Sequence, residues 1–322
     1  IFLPSNILDY RGTPSSPGDR SSLAFSDQGA WFAYGFPSAE EKTLGFSGPF
    51  LMTQGQGEWS SKALSHLELI HEGTQEKLDL DDFASSQTSY NSHLKQVFEN
   101  EKLKIEQNLF FNSSHSAIIT TKITNLSSEV VTLQPDWHGT AFSTGLQITK
   151  EENTISLKTD RSTAKGIIQV FERDIKNVIT SDSSYSISLK DIKLEVDETT
   201  TLTLAHTFIF PEYNAVLEQQ ELELSAKNPQ RQLQKRIEEK TRQLSTLNNN
   251  LDTNWRDITY KDLVAKTVLT LQNNTRIPAG ELKHAGIFPS YHYKWFLGFW
   301  AWDSWKHAVA VSHYNTALAK NQ

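Results

Sequence analysis

The sequence predicts a multidomain β + α protein: a large N-terminal antiparallel β-sandwich, then a helical linker, then the first helices of another domain. Three observations predict this. Gly and Pro divide the first 90 residues into short apolar pieces, and apolar and polar residues then alternate as they do in strands. From about residue 228 the spacing becomes helical. We expect the β-sandwich over residues 1–225, the linker over 226–256 and the helical domain over 257–322.

The predicted strands are clearest between residues 94 and 133. There Leu103 and Ile105 alternate with Lys104 and Glu106, which is typical of a strand with one buried face and one face in water. Further segments of this kind are rich in Thr, Ile and Val, residues that favour strands. They cover residues 154–158, 166–171, 185–194 and 199–210.

The first predicted helix begins at Asn228. Asn is a good helix cap, and Pro229 is tolerated in the first turn. The apolar stripe of this helix is sparse and its other faces are strongly polar, which favours a connector between domains over a core helix. The run Asn248–Asn250 ends it.

Three more helices are predicted after the linker. They run from about 258 to 272, from 304 to 312, and from Asn315 or Thr316 onward. About sixty residues cannot close a helical domain by themselves, because each helix must bury its apolar face against a neighbour. We therefore expect the sequence to be a fragment whose apolar helix faces are covered by further segments of the same protein.

Composition excludes several classes of function. There are 31 Lys and Arg against 38 Asp and Glu, so a nucleic-acid partner is not expected. Without cysteine the chain has no thiolate, disulfide or cysteine zinc site, and the ten histidines show no metal-ligand spacing. We predict no metal and no cofactor. No apolar run approaches the ~20 residues that span a bilayer, so no membrane span is expected.

The most informative stretch is Tyr291–Trp305. Eight of its fifteen residues are aromatic, against 11% in the whole chain, and it holds four of the eight Trp. Buried Trp needs a partner for its N–H group, so a core rarely uses it so densely. Aromatic rings beside Asp303 and Lys306 are typical of a sugar-binding pocket. The alternative is that the rings only join the two domains.

Asp303 is the strongest candidate in this stretch, because it lies between Trp302 and Trp305. Its other interpretation is an N-cap of the helix that begins at Ser304. Lys306 and His307 fit ordinary helix positions better than catalytic ones. Trp31 and Tyr34, in an earlier aromatic segment, could reach a ligand but fit a sheet core better.

The segment from Lys294 to Lys306, followed by His307-Ala308 and His313-Tyr314-Asn315, resembles the first conserved block of glycoside hydrolase family 63, in particular its bacterial α-glucosidase-like members. Residues 6–14 and Gly29-Ala30-Trp31 resemble the start of those enzymes more loosely. The resemblance implies that the helical domain is the start of an (α/α)6 barrel. It further implies an exo-acting, inverting hydrolase of α-linked glucosides or oligosaccharides.

The same resemblance implies a role for each site residue. The catalytic acid and base of such enzymes come from later barrel segments, so no catalytic residue is assigned here, although Asp303 as the acid stays an alternative. The Asp that matches Asp303 holds the nonreducing glucose in family members. The predicted substrate-binding residues are Asp303, Trp302, Trp300, Trp295 and Lys306.

Two other functions stay open from the sequence. One is another exo-glycosidase with the same barrel, such as a trehalase-like or mannosylglycerate-hydrolase-like enzyme. The other is a noncatalytic carbohydrate-binding β-sandwich. The resemblance favours a periplasmic or extracellular location over the cytoplasm, and an export signal would lie upstream of Ile1.

Overall fold

The fold is seen in a computed structural model that describes residues 3–52, 56–142, 145–293 and 295–322. Its N-terminal two thirds consist of antiparallel sheets, as the alternating pattern predicts. The strands are β1 (Phe32–Gly35), β2 (Leu44–Gly45), β3 (Ser47–Met52), β4 (Gly57–Trp59), β5 (His66–His71), β6 (Ala84–Ser89), β7 (Leu94–Glu99), β8 (Leu103–Phe111), β9 (Ser116–Asn125), β10 (Val131–Thr140), β11 (Leu146–Glu151), β12 (Thr154–Thr159), β13 (Lys165–Phe171), β14 (Ile175–Thr180), β15 (Ser184–Leu189), β16 (Ile192–Leu194) and β17 (Thr199–Ile209).

Two large sheets form the sandwich. One has eight strands in the order β11-β12-β13-β17-β9-β8-β7-β6. The other has the order β14-β15-β10-β5-β2, with β16 also paired to β10. A third sheet, β1-β3-β4, is smaller. One hydrophobic core draws side chains from both large sheets, including Trp137 of β10 and Leu204 of β17. The prediction of an antiparallel β-sandwich is therefore confirmed.

The described part of the chain has five α-helices after the sandwich. They are α1 (Ala215–Ala226), α2 (Pro229–Asn250), α3 (Lys261–Asn274), α4 (Ala301–Ser312) and α5 (Thr316–Asn321), with the short strands β18 (Thr275–Arg276) and β19 (Gly286–Ile287) between α3 and α4. Four of them, α2 to α5, lie near the predicted positions. The Asn228 side chain caps α2 by accepting a hydrogen bond from the backbone N–H of Arg231. Asn315 caps α5 in the same way.

Helix α1 corrects the sequence analysis, which assigned residues 215–225 to the β domain without a helix. Its exposed apolar residues, Val216, Leu217 and Leu224, do not share a face with the buried ones, so no helical periodicity shows in the sequence. Leu222 and Ala226 pack on the outer face of the eight-stranded sheet, against Phe110 and other side chains. The helix is therefore held by tertiary packing rather than by its own pattern.

Candidate functional site

The stretch predicted to bind sugar forms a loop followed by helix α4. The helix begins at Ala301, three residues earlier than the sequence predicts, and its N-cap residue is Trp300, whose side chain makes no capping hydrogen bond. Asp303 therefore lies inside the first turn, and the interpretation of Asp303 as the N-cap is wrong. A carboxylate in the first turn still interacts favourably with the helix dipole.

The loop before α4 is anchored to the sandwich through Tyr291. The backbone N–H of Tyr291 donates to Asn274 Oδ1 at 2.7 Å, and the backbone N–H of Ala24 donates to the Tyr291 hydroxyl at 2.9 Å. The Arg276 guanidinium lies over the Tyr291 ring at 5.4 Å. These contacts fix the start of the loop against two elements that lie far apart in sequence.

Aromatic packing continues this anchor. The Phe288 ring contacts Trp31 at 5.6 Å and Phe299 at 5.2 Å between ring centroids. Trp31 also donates from its indole N–H to the Ile277 carbonyl at 3.0 Å, while Tyr34 is buried in the core. The sheet-core interpretation of Trp31 and Tyr34 thus fits their surroundings better than a ligand-facing one.

Beyond the anchor, the aromatic side chains face outward. We call the exposed rings of Tyr293, Trp295, Phe296, Trp300, Trp302 and Trp305 the aromatic surface. Trp302 and Trp305 lie on one face of α4 with 64% and 72% of their area exposed. In the preceding loop, Phe296 packs on Tyr293 at 5.6 Å and on Trp300 at 5.4 Å between ring centroids.

Charged groups lie beside these rings. The Lys306 ammonium lies 4.7 Å from the centroid of the Trp302 ring, so two of the predicted site residues are in contact through a cation–π interaction. Asp303 is half-buried and follows Trp302 in the first turn of α4. Burial lowers the pKa of His307, one turn later, and the Asp303 carboxylate opposes that shift. His307 is therefore mostly neutral at pH 7.

The structure places a buried ion cluster where the sequence analysis saw only a polar helix surface. Arg236 Nη2 and Lys240 Nζ of α2 lie 2.6 and 2.5 Å from the two carboxylate oxygens of Asp27. All three side chains are more than nine-tenths buried. Burial opposes ionisation of Asp27, but Lys240 and Arg236 outweigh it and hold its pKa below the usual value. The partners are over 200 residues apart, so no local sequence signal reveals them.

A Ser–His pair also lies inside the sandwich. Ser65 Oγ is 2.6 Å from His206 Nε2, and the Tyr34 hydroxyl is 2.7 Å from His206 Nδ1. Ser65 and His206 are 98% or more buried, so no substrate reaches the serine. The pair ties together strands of the core.

Within the described ranges, no group of three or more His, Asp or Glu side chains is arranged to hold a metal ion. No helix of the described chain has the length and apolar character that crossing a lipid bilayer requires.

Comparison with known proteins identifies the family. Residues 15–242 match the family described as glucosidase YgjK, N-terminal, which is well over half of the chain. The chain belongs to this family. The match covers the sandwich, α1 and most of α2, and it ends before the aromatic surface. By its description, the matched family is the N-terminal part of a glucosidase.

Solved structures of low sequence identity match parts of the chain. A protein described as a kojibiose phosphorylase from the human microbiome is 12% identical, with a TM-score of 0.47 over 80% of this chain and 37% of its own. A polysaccharide lyase is 12% identical, with a TM-score of 0.40 over 62% of this chain and 35% of its own. A galactose mutarotase-like protein from Lactobacillus casei is 7% identical, with a TM-score of 0.41 over 58% of this chain and 99% of its own. The chain spans little more than a third of the first two.

Proposed function

We propose that this YgjK-family chain is the N-terminal portion of an exo-acting, inverting α-glucosidase related to glycoside hydrolase family 63. The observation that carries the proposal is the aromatic surface on and before α4, where Lys306 lies on the exposed Trp302 ring and Asp303 is the carboxylate in the first turn of the helix. Rings of this kind stack on the C–H faces of a sugar, while charged groups bind its hydroxyls. The family match over residues 15–242 supports a glucosidase independently of this surface.

The proposed domain layout keeps the bounds that the sequence predicts, and the aromatic surface supports its last part. Residues 1–225 form the sandwich domain, 226–256 the linker, and 257–322 the start of an (α/α)6 barrel. Water-exposed Trp302, Trp305 and Val309 line one face of α4, and a helix normally buries such a face against neighbouring helices. Later barrel helices would cover part of it and would leave a pocket above Asp303.

The proposed chemistry divides between this chain and those later segments. Inversion needs an acid on the leaving oxygen and a base that activates water from the opposite face, with carboxyl groups ~6.5–9.5 Å apart. Neither is assigned to this chain. Asp303 would accept hydrogen bonds from the hydroxyls of the nonreducing glucose, Trp300 and Trp302 would form pocket walls, and Trp295 and Lys306 would border the pocket.

The test uses a form of the protein that carries the complete barrel. Asp303→Asn keeps the size of the side chain and removes its charge, so we expect hydrolysis of α-glucosides to fall by about a hundredfold or more, with an unchanged circular-dichroism spectrum. Asp174→Asn, on an exposed strand end of the sandwich, is the matched control and keeps full activity. An Asp303→Asn enzyme with a wild-type rate contradicts the proposal.

A noncatalytic carbohydrate-binding protein is the second candidate, because exposed Trp rings bind sugar without any catalytic group. It predicts that the 322-residue chain binds malto-oligosaccharides by itself and that Trp302→Ala abolishes this binding. The glucosidase proposal predicts weak or no oligosaccharide binding by this chain, because the barrel segments that complete the pocket lie outside it. Titration calorimetry separates the two.

A further inference from the structure

A run of buried polar residues lies where helix α3 ends. Gln272, Asn273, Asn274 and Arg276 are each at least nine-tenths buried, and Arg276 has no exposed surface. Hydrogen-bonded polar groups inside a protein make a region rigid and fix its arrangement. The contacts of this run therefore show which parts of the molecule it holds together.

On one side the run holds the sandwich. Asn273 Oδ1 accepts a hydrogen bond from the backbone N–H of Ser26 at 3.1 Å, and its Nδ2 donates to the Tyr10 hydroxyl at 2.7 Å. Gln272 donates through Nε2 to the Asn91 carbonyl at 2.9 Å. Because Tyr10 belongs to the core of the sandwich, the end of α3 has a fixed place on that core.

On the other side the run holds the loop that leads to the aromatic surface. The backbone N–H of Phe288 donates to the Asn274 carbonyl at 2.9 Å, and the side chain of Asn274 accepts from the Tyr291 N–H. The Arg276 guanidinium lies over the Tyr291 ring, and Phe50 of β3 contacts the same ring at 6.0 Å between centroids. Tyr291 is thus held both by its backbone and by its ring.

The charge of Arg276 is costly to bury. Its Nη2 donates to the Asn273 carbonyl at 2.7 Å and its Nη1 to the Thr275 carbonyl, and carbonyls at the end of a helix attract a cation. Burial lowers its pKa to about 9, so it is still charged at pH 7. A fully buried charge held by carbonyl groups rather than by a carboxylate stabilises a fold little. Stability alone therefore does not account for an Arg at this position.

We propose that Arg276 is a positioning residue for the sugar site. It holds the Tyr291 ring, and through Tyr291 it sets the course of the loop that carries Trp300, a wall of the proposed pocket. The run at the end of α3 thereby fixes the loop relative to the sandwich. This inference rests on the proposed glucosidase function and adds a residue to it that does not touch the substrate.

The helix that carries Asp303 is held by contacts of its own. Gln322 Nε2, after α5, donates to Ser304 Oγ at 2.9 Å, and Val311 of α4 is fully buried. A change at Arg276 should therefore move the loop and leave Asp303 in place. A displaced pocket wall weakens the binding of substrate and transition state alike, which raises KM and leaves kcat nearly unchanged.

The experiment measures kcat and KM for p-nitrophenyl α-D-glucopyranoside with a form of the protein that carries the complete barrel. Arg276→Lys keeps the charge but loses the flat guanidinium that lies over Tyr291. We expect KM to rise about tenfold and kcat to stay within about twofold of the wild type. An unchanged KM overturns the proposal.

Thr275→Val is the matched control. Its hydroxyl donates to the Leu271 carbonyl at 2.8 Å, inside α3, so its loss should leave both KM and kcat unchanged. A rise in KM as large as that of Arg276→Lys would mean that any change at the end of α3 has this effect, and it overturns the specific role of Arg276.

A double-mutant cycle tests whether Arg276 acts through Tyr291. Tyr291→Leu removes the ring that the guanidinium lies over. If Arg276 acts through this ring, the double variant should have the same KM as Tyr291→Leu alone. Independent, multiplying increases in KM overturn the proposal.

A core variant separates positioning from loss of stability. Leu204→Ala opens a cavity in the core of the sandwich, so it should lower the urea midpoint and leave KM unchanged. If it raises KM as Arg276→Lys does, the effect reflects stability and the proposal fails. Should Arg276→Lys not fold, Asn274→Ala takes its place, because it removes the acceptor of the Tyr291 N–H. An unchanged KM in that variant overturns the proposal.

Asp303→Asn distinguishes this inference from the proposed function. If Asp303→Asn loses activity while Arg276→Lys keeps the wild-type KM, the glucosidase function stands and the positioning role fails. An Asp303→Asn enzyme with a wild-type rate contradicts the proposed function alone, and the KM of Arg276→Lys still decides the positioning role.

Discussion

The sandwich and helix α4 use the same residue type in opposite ways. Trp59 and Trp137 are at least 99% buried in the sandwich, whereas Trp302 and Trp305 of α4 are mostly exposed. Burying an aromatic side chain stabilises a fold by a few kcal/mol, so an exposed Trp contributes little until something covers it. The sandwich therefore holds the fold, while the aromatic surface is available for a ligand or a neighbouring segment.

The largest expected difference in stability between the two regions comes from replacing one Trp of each with Ala. Trp137→Ala should lower the free energy of unfolding by about 3–5 kcal/mol, because it opens a cavity between the two large sheets. Trp305→Ala should change it by less than about 0.5 kcal/mol, because its ring lies in water. Urea unfolding followed by circular dichroism measures both. Similar losses in the two variants would show that α4 packs as tightly as the sandwich.

The next effect tests whether the linker helix is fixed to the sandwich. Asp27→Asn leaves Arg236 and Lys240 buried without their carboxylate, so we expect a loss of about 3 kcal/mol in the free energy of unfolding. The control is Asp174→Asn, which breaks the exposed ion pair with Lys190 and should not measurably shift the urea midpoint. If both variants match the wild type, the buried cluster does not anchor α2.

Because the sandwich buries histidines, its free energy of unfolding should depend on pH. Burial lowers the pKa values of His206 and His93 to about 3, while in the unfolded chain they titrate near ~6.5. Below pH 6.5 the unfolded state therefore binds protons that the folded state does not. Stability is complete above that pH and falls as the pH drops, by about 2 kcal/mol per histidine at pH 5.

Urea titrations at pH 7 and pH 5 measure this loss. His93→Gln removes the proton that His93 takes up on unfolding, so the difference between the two pH values should shrink by about 2 kcal/mol. The His93 ring stacks on Tyr90 at 4.5 Å between centroids, so the variant also loses some stability at both pH values. A pH dependence equal to that of the wild type would mean that His93 already titrates normally in the fold.

The smallest effect concerns how the helices begin. Asn228→Ala removes the side-chain cap of α2 and should cost about 1 kcal/mol. Ser245→Ala, at an exposed position of the same helix, is the control and should cost little. Helix α4 has no such cap, because Trp300 occupies that position. A stability loss for Ser245→Ala as large as that for Asn228→Ala would argue against the capping role.

The sequence predicted the regular parts of the fold well. The alternation around Leu103–Glu106 became β8, paired with β7 and β9, and Asn228, Asn250 and Asn315 mark helix ends as expected. Helix α1 was missed because its apolar residues form no single face. The start of α4 was misplaced because Asp303 is a common capping type, whereas the loop packing around Phe299 and Trp300 sets the true start.

The candidate site was predicted less completely. Composition alone singled out Tyr291–Trp305, and the structure shows Lys306 on Trp302 and an exposed aromatic face. The substrate-binding roles of Asp303, Trp302, Trp300, Trp295 and Lys306 stay predictions. The buried ion cluster of Asp27, Arg236 and Lys240 could not be predicted, because Asp27 lies more than 200 residues from its two partners.

What the sequence determined by itself is the local periodicity: which segments form strands, where the main helices lie, and where aromatic residues are concentrated. Only the tertiary structure decided which of these groups meet water. Asp27 and Trp305 are a charged and an apolar residue, yet the first is buried and the second is exposed. Periodicity depends on neighbours a few residues away, whereas burial depends on partners such as Arg236 and Lys240, more than 200 residues along the chain.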